Sequence, residues 1–275
     1  MNTFLVPTDF SDTSKNAARF AAHIANVVAD SQLILYNVFD TIEAGSDGTP
    51  LESDDAARGS VMELALESVK SELSGITNVP ITLVVEEEHD FVGSLDRYIR
   101  HNNIQMVIMG ITGGNKLEQI FVGSNTLSLI EKQTVPVMIV PPEAQFKAAK
   151  NIMLISDFED IEKTIPAHDL KTVLNLFGCN LHVVNVNDEH YVQVTAEYQA
   201  GRVQLQEMLK DYNPEFYFIR MYNFMDAINQ FVTDKNIDLI ITIPKQHSFL
   251  SHFFKTSHTK KLAYQSVIPI IAVHS

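Results

Sequence analysis

The sequence is poor in cysteine, in positive charge and in long apolar runs, and each shortage excludes a class of protein. Its one cysteine, Cys179, cannot form an internal disulfide, so we expect a protein of the cytoplasm. Lys and Arg number 20 against 34 Asp and Glu, and the formal net charge of −14 argues against nucleic acid as a partner. No apolar run approaches the roughly 18 residues of a membrane span. The N-terminus also lacks the basic segment of a secretory signal.

What the sequence does contain is the same module written twice. Residues 6–10 align with residues 154–158, and residues 33–40 with residues 181–188, both at an offset of 148. Further along, the offset becomes 133 and is kept by five matches: Phe91 with Phe224, Asn103 with Asn236, Ser124 with Ser257, Thr126 with Thr259 and Pro136 with Pro269. A chain of 275 residues has room for two ordinary domains. We therefore predict domains at 1–145 and 146–275.

Each copy alternates short apolar runs with segments of helical periodicity. In the first copy, strands are predicted at 4–7, 33–39, 81–85, 106–109 and 135–140, with helices after Ser11 and at 61–73, 91–101 and 120–132. This alternation predicts an α/β fold of two doubly wound domains, each a parallel sheet with helices on both faces. Pro136 and Pro269 open the last strand of each copy, so these strands are predicted to begin there or to lie on a sheet edge.

Two segments of the first copy are expected to meet beyond the carboxyl ends of its strands, where ligands of such sheets bind. One is Pro7-Thr8-Asp9, after the first strand. The other follows the fourth strand and has the spacing Gly-x2-Gly-x9-Gly-Ser, formed by Gly110, Gly113, Gly123 and Ser124, with Asn125 next. Glycines let a backbone approach an anion, and a helix N-terminus offers free N–H groups to phosphate. Lys116 can reach a terminal phosphate.

Two plainer interpretations of these residues stay open. Gly110 and Gly113 can be turn residues that follow a strand. Asp9 can bind a ribose hydroxyl or, through water, Mg²⁺, but it can also be no more than an N-terminal helix cap, because acidic residues are favoured there.

The glycine spacing, together with Pro-Thr-Asp after the first strand, resembles the ATP-binding members of the universal stress protein family. The resemblance implies five-stranded sheets in the order 3-2-1-4-5, two copies packed through their last strands as a pseudo-dimer, and bound ATP with Mg²⁺. It further implies that Pro7 and Asp9 flank the nucleoside, that Val38 and Met109 border adenine, and that the phosphates are held by Gly110, Gly113, Gly123, Ser124 and Asn125.

The second copy departs from this motif. Ile243, Gln246 and Thr256 replace the three glycines, and only the serine is kept, as Ser257. Side chains would fill the space that a phosphate needs. We therefore expect that the second copy does not bind ATP, although Asp157 is retained at the position of Asp9.

Other groups of polar residues give weaker signals. Glu86, Glu87 and Glu88 are interpreted as a solvated strand end and not as a metal site. His247, His252 and His258 are too unevenly spaced to share one helical face, which argues against zinc. No nucleophile, base and acid set can be recognised, so we predict that the protein is not an enzyme. Three hypotheses remain: an ATP-binding stress-response or signalling protein, a slow ATPase, and a nucleotide-independent interaction module.

Overall fold

The computed structural model describes residues 1–40, 55–110, 129, 135–187, 196–220, 224–243 and 268–274. The strands in these ranges are β1 (Asn2–Pro7), β2 (Ser31–Phe39), β3 (Ile81–Glu87), β4 (Met106–Gly110), β5 (Val137–Val140), β6 (Asn151–Ile155), β7 (Asn180–Asn187), β8 (Glu215–Arg220), β9 (Leu239–Thr242) and β10 (Ile270–Ala272). The helices are α1 (Asp12–Val27), α2 (Asp55–Leu73), α3 (Phe91–His101), α4 (Ile161–Thr164), α5 (Ala167–Phe177), α6 (Ala196–Met208) and α7 (Phe224–Lys235). The predicted α/β class is confirmed. The helix predicted at 120–132 lies outside the described residues, apart from Leu129.

Local sequence explains where α1 begins and which side it buries. Ser11 is the N-cap, and its Oγ accepts a hydrogen bond from the Ser14 amide at 3.3 Å. Beyond the cap, Ala17, Ala21 and Ile24 follow at helical spacing and are fully buried. The small side chains of Ala17 and Ala21 let α1 pack closely on the sheet.

All ten strands form one sheet, in the order β3-β2-β1-β4-β5-β10-β9-β6-β7-β8. Within each half the order is 3-2-1-4-5, as the resemblance implies, and the neighbouring strands are parallel. The halves are joined by the antiparallel pairing of β5 and β10, in which Ile271 lies opposite Met138. The structure therefore has one continuous sheet and not two separate five-stranded sheets, because each half covers the open edge of the other.

The two prolines that open the last strands have a simple structural role. Pro136 and Pro269 immediately precede β5 and β10, and their carbonyls accept hydrogen bonds from the amides of Val107 and Ile240 at 3.0 and 3.1 Å. The prediction that the strands begin at these prolines is right. The alternative of a sheet edge is wrong, because β5 and β10 lie at the centre of the sheet. Proline is tolerated there since it stands before the first paired residue.

The segment between the halves packs against α1. The side chain of Asn16 donates hydrogen bonds to the carbonyls of Pro141, Pro142 and Ala144, each at 3.2 Å. The ring of Phe146 stacks on His23, with ring centroids 5.1 Å apart. The domain boundary after residue 145 remains a prediction, and Phe146 contacts the half to which that boundary does not assign it. Among the described helices, none is long and apolar enough to cross a membrane.

Candidate functional site

The candidate site lies at the carboxyl ends of β1, β2 and β4, which we call the carboxyl edge of the first half. These three strands are adjacent, with β1 between β2 and β4. Pro7 ends β1, Val38 is the second-last residue of β2, and Met109 and Gly110 end β4. The fold thus brings the described residues of the predicted site to one edge of the sheet, and Asp9 follows in the β1–α1 turn.

The β1–α1 turn is ordered by its own side chains. Phe10 has a positive φ of 65°, and its amide donates a hydrogen bond to Thr8 Oγ1 at 3.1 Å. Asp9 Oδ1 accepts two hydrogen bonds from Ser11, from the amide at 3.0 Å and from Oγ at 2.5 Å. The helix cap is Ser11 and not Asp9. Asp9 therefore fixes the turn before the helix, while its side chain stays exposed to solvent.

The carboxyl group of Asp9 is ionised at neutral pH. Partial burial acts to raise its pKa, but the hydrogen bonds from Ser11 outweigh this effect and hold the pKa below its ordinary value. An exposed, ionised carboxylate beyond the end of β1 suits a ribose hydroxyl, a hydrated cation or both.

The amide, the carbonyl and the hydroxyl group of Thr8 all make hydrogen bonds within the protein. Its amide donates to the carbonyl of Tyr36 at 2.9 Å, and its carbonyl accepts a hydrogen bond from Asn37 Nδ2 at 2.8 Å. Its Oγ1 lies 3.0 Å from Ser14 Oγ. The sequence predicts that Thr8, in the segment Pro7-Thr8-Asp9, takes part in ligand binding. In the structure its polar groups tie the turn to β2 and α1, which makes Thr8 a residue that positions Asp9.

Packing within the protein explains why position 110 is a glycine, whether or not a ligand binds there. A Cβ at this position would collide with the carbonyl of Thr13, and it would lie 3.1 Å from the amide nitrogen of Ser14. The only described glycine with a positive φ is Gly178, so Gly110 does not need the left-handed conformation. What Gly110 provides is a close approach between the end of β4 and the first turn of α1.

The phosphate-binding part of the predicted site lies outside the described residues. This applies to Gly113, Gly123, Ser124 and Asn125, to Lys116, and in the second half to Gln246, Thr256, Ser257 and the three histidines His247, His252 and His258. Their proposed roles stay predictions from the sequence.

The second half repeats the turn but not its surroundings. Phe158 has a φ of 63°, its amide donates to Ser156 Oγ at 3.2 Å, and the Glu159 amide donates to Asp157 Oδ1 at 3.0 Å. At the position of Gly110, however, Ile243 is 8% exposed and belongs to the core. A close approach of helix to strand is then impossible.

The helices that follow the second turn differ from those of the first half. The four-residue α4 and the separate α5 take the place of the continuous α1. In addition, Gly201 of α6 lies against the carbonyl of Phe158, and the Phe158 side chain is 2% exposed. Helix α6 thus covers the second turn, whereas the equivalent Phe10 of the first half is only partly buried.

The predicted base-binding residues lie on the face of the sheet that α3 covers. Met109, Tyr36 and Leu95 belong to one buried cluster, and the partly buried Val38 packs against it. Glu86 of β3 lies directly opposite Val38 in the strand pairing. An apolar surface with a carboxylate at its rim can take a flat heterocycle that carries hydrogen-bond donors.

The interpretation of Glu86, Glu87 and Glu88 as a solvated strand end fits Glu87, which is exposed, but it needs correction for Glu86, whose side chain is 24% exposed and tied to other residues. Glu86 Oε2 accepts hydrogen bonds from the Tyr36 hydroxyl at 2.9 Å and from Arg97 at 3.0 Å, and Arg97 also reaches Glu88. Sequence reasoning missed this cluster. The available signal was Tyr36, a mid-strand tyrosine whose buried hydroxyl needs a partner. Among the described residues, no three His, Cys, Asp or Glu side chains are placed to hold a metal ion.

Known proteins match part of this chain in sequence. The family model described as the universal stress protein family matches residues 1–141. The universal stress protein MJ0577 of Methanocaldococcus jannaschii is 27% identical over 153 residues, which cover 50% of this chain and 92% of that protein.

Solved structures resemble the whole chain. A universal stress protein from Archaeoglobus fulgidus has a TM-score of 0.67 at 16% identity, covering 99% of this chain and 96% of the other. A universal stress protein structure from Pseudomonas aeruginosa has a TM-score of 0.58 at 12% identity, covering 100% and 93%. These two likenesses concern the fold alone. Because the family model covers more than half of its residues, the chain belongs to the universal stress protein family.

Proposed function

We propose that this chain is a cytoplasmic ATP-binding protein of stress response or signalling that holds one nucleotide, with Mg²⁺, in its first half. The observation that carries the proposal is that Asp9, Val38 and Met109 lie at the ends of three adjacent strands. Ligands of open parallel sheets bind at this edge, next to the point where the strand order reverses.

The roles follow from the chemistry of each residue. Val38 and Met109 offer an apolar surface to adenine, with Pro7 beside the nucleoside. Asp9 accepts a hydrogen bond from the ribose or holds the hydrated Mg²⁺, a role that its ionised state suits. Gly110 brings the chain that leaves β4 against α1. Beyond it, Gly113, Gly123, Ser124 and Asn125 hold the phosphates through backbone and hydroxyl groups.

The second half is proposed to bind no ATP. Ile243 fills the place of Gly110, and α6 packs against Phe158 where the crevice would open. This half contributes the strand β10, which covers β5 and completes the sheet.

The test is a calorimetric titration of nucleotide-stripped protein with ATP and Mg²⁺, read for affinity and stoichiometry. We expect one site per chain. Two sites would show that the second half is misjudged, and no binding would replace the proposal with a nucleotide-independent interaction module. A phosphate-release assay on the same sample separates binding from hydrolysis, and we expect at most slow turnover because no catalytic base is evident.

A further inference from the structure

An ordered carboxylate lies beside the proposed base position. Glu86 is opposite Val38 in the parallel pairing of β2 with β3, so the two side chains share one face of the sheet. Glu86 Oε2 accepts the hydrogen bond of the Tyr36 hydroxyl at 2.9 Å and that of Arg97 Nη2 at 3.0 Å. Two donors from two different elements thus fix the same oxygen atom.

Of the two groups that hold Glu86, one is buried, whereas the Arg97 side chain is 52% exposed and is held by two carboxylates. Tyr36 is fully buried, and its ring packs on that of Tyr98 with centroids 5.1 Å apart. Arg97 donates a second hydrogen bond to Glu88 Oε1 at 3.3 Å, so its guanidinium bridges two carboxylates. The Glu86 side chain is 24% exposed, which leaves it in reach of a ligand. Glu86 is therefore a pre-organised, charged hydrogen-bond acceptor.

One oxygen of this carboxylate is available. Within the part of the chain that the structure describes, no residue donates a hydrogen bond to Glu86 Oε1, since both hydrogen bonds of the carboxylate end on Oε2. A carboxylate has acceptor capacity on both oxygens. Because Glu86 is paired with Val38, this carboxylate lies beside the residue that is proposed to border the base.

The second half has no such cluster. The equivalent strand pair places Ile219 opposite Val186, in the register that places Glu86 opposite Val38. Val184 and Gln230 stand at the positions of Tyr36 and Arg97. Among the described residues, the cluster therefore occurs in the half that keeps the glycine motif and not in the other, as expected if both serve one ligand.

We infer that Glu86 makes the first half selective for 6-aminopurine nucleotides by accepting a hydrogen bond from the exocyclic amine of the base. The inference rests on the proposed function, because it assumes a base beside Val38. Adenine presents an amino donor at this position, whereas hypoxanthine and guanine present an oxo acceptor that a carboxylate repels. Tyr36 and Arg97 are positioning residues that direct Oε2 away from the base.

The experiment compares the affinities for ATP and inosine triphosphate in wild type, Glu86→Gln and Glu87→Gln. The two bases differ at the 6-position, amino against oxo, and at the adjacent N1, which is an acceptor in adenine and carries a hydrogen in hypoxanthine. At position 86, a glutamine must turn its oxygen towards the two donors Tyr36 and Arg97, which leaves its NH₂ facing the base. Glu87→Gln is the matched control, because Glu87 is exposed and its side chain points to the other face of the sheet.

We expect wild type and Glu87→Gln to prefer ATP by about tenfold or more, and Glu86→Gln to lose or invert this preference. Equal affinities in the wild type would overturn the inference and leave the proposed function standing, without any need for a variant. An unchanged preference in Glu86→Gln, with native circular dichroism, would also overturn it. A wild type that binds neither nucleotide would instead remove the proposed function itself.

Discussion

Gly110 and Thr13 lie so close together that no side chain fits between the end of β4 and the first turn of α1. The contact is with a backbone carbonyl, which cannot rotate out of the way as a flexible side chain can. It sets the distance between the two segments that carry the proposed site, and Ile243 rules it out in the second half.

Substituting Gly110 with alanine is expected to destabilise the protein by about 1–3 kcal/mol, the usual cost of overpacking a tight contact. Gly59→Ala is the control, because among the described residues the new Cβ in helix α2 would meet only the Phe39 ring, at 3.8 Å. There we expect a gain of about 0.5–1 kcal/mol from helix propensity. Denaturant unfolding followed by circular dichroism measures both, and equal effects of the two changes would refute the packing role.

The phosphate segment gives a prediction about binding without a change in fold. Gly113→Val and Gly123→Val are expected to abolish ATP binding, since a β-branched side chain would occupy the phosphate position. Gln246→Val, at the position in the second half that matches Gly113, should leave affinity and stoichiometry unchanged. Isothermal titration with Mg²⁺ and ATP decides this, and undiminished affinity in both glycine variants would dismiss the assignment of the site.

Asp9 and Asp157 occupy equivalent positions in similar turns, which allows a matched pair of variants. Asp9→Asn keeps the Oδ1 acceptor that the Ser11 amide uses, but it removes the charge. We expect a loss of ATP affinity of about tenfold or more, the usual value of a hydrogen bond to a charged group, with little loss of stability. Asp157→Asn makes the same change in the second half and should have no effect on binding. Equal affinities of the two variants would show that Asp9 only orders its turn.

The partly buried His274 makes the free energy of unfolding depend on pH. Burial lowers its pKa from 6.5 to about 4, and its Nε2 has no hydrogen-bond partner among the described residues. Between these values the unfolded chain binds a proton that the folded chain does not, so this contribution to stability is complete above pH 6.5 and is lost as the pH falls towards 4. The slope approaches about 1.4 kcal/mol per pH unit.

To isolate this histidine from the many carboxyl groups, wild type and His274→Phe should be unfolded in denaturant at several pH values. The free energy of unfolding of the wild type should fall more steeply with acidification than that of the variant. Parallel curves would contradict the assignment.

Much of the fold could be predicted because it depends on local patterns. Helix α3 has the predicted bounds, and β3 and β4 begin where they were predicted. The break between α4 and α5 was not foreseen, because Pro166 alone does not determine where a helix of the second half begins. The Glu86 cluster was missed for a similar reason: Tyr36, Glu86 and Arg97 are distant in sequence and meet only through strand register.

The sequence by itself determined that the chain repeats one α/β module, that the first copy carries the glycine motif, and that the second has lost it. These are properties of composition, spacing and internal similarity, and they need no coordinates. Only the tertiary structure decided that the two halves share one sheet through β5 and β10, that Gly110 is needed for a backbone contact, and that Glu86 is held by Tyr36 and Arg97. Each of these depends on distances between segments far apart in the chain, which hydrophobic periodicity does not encode.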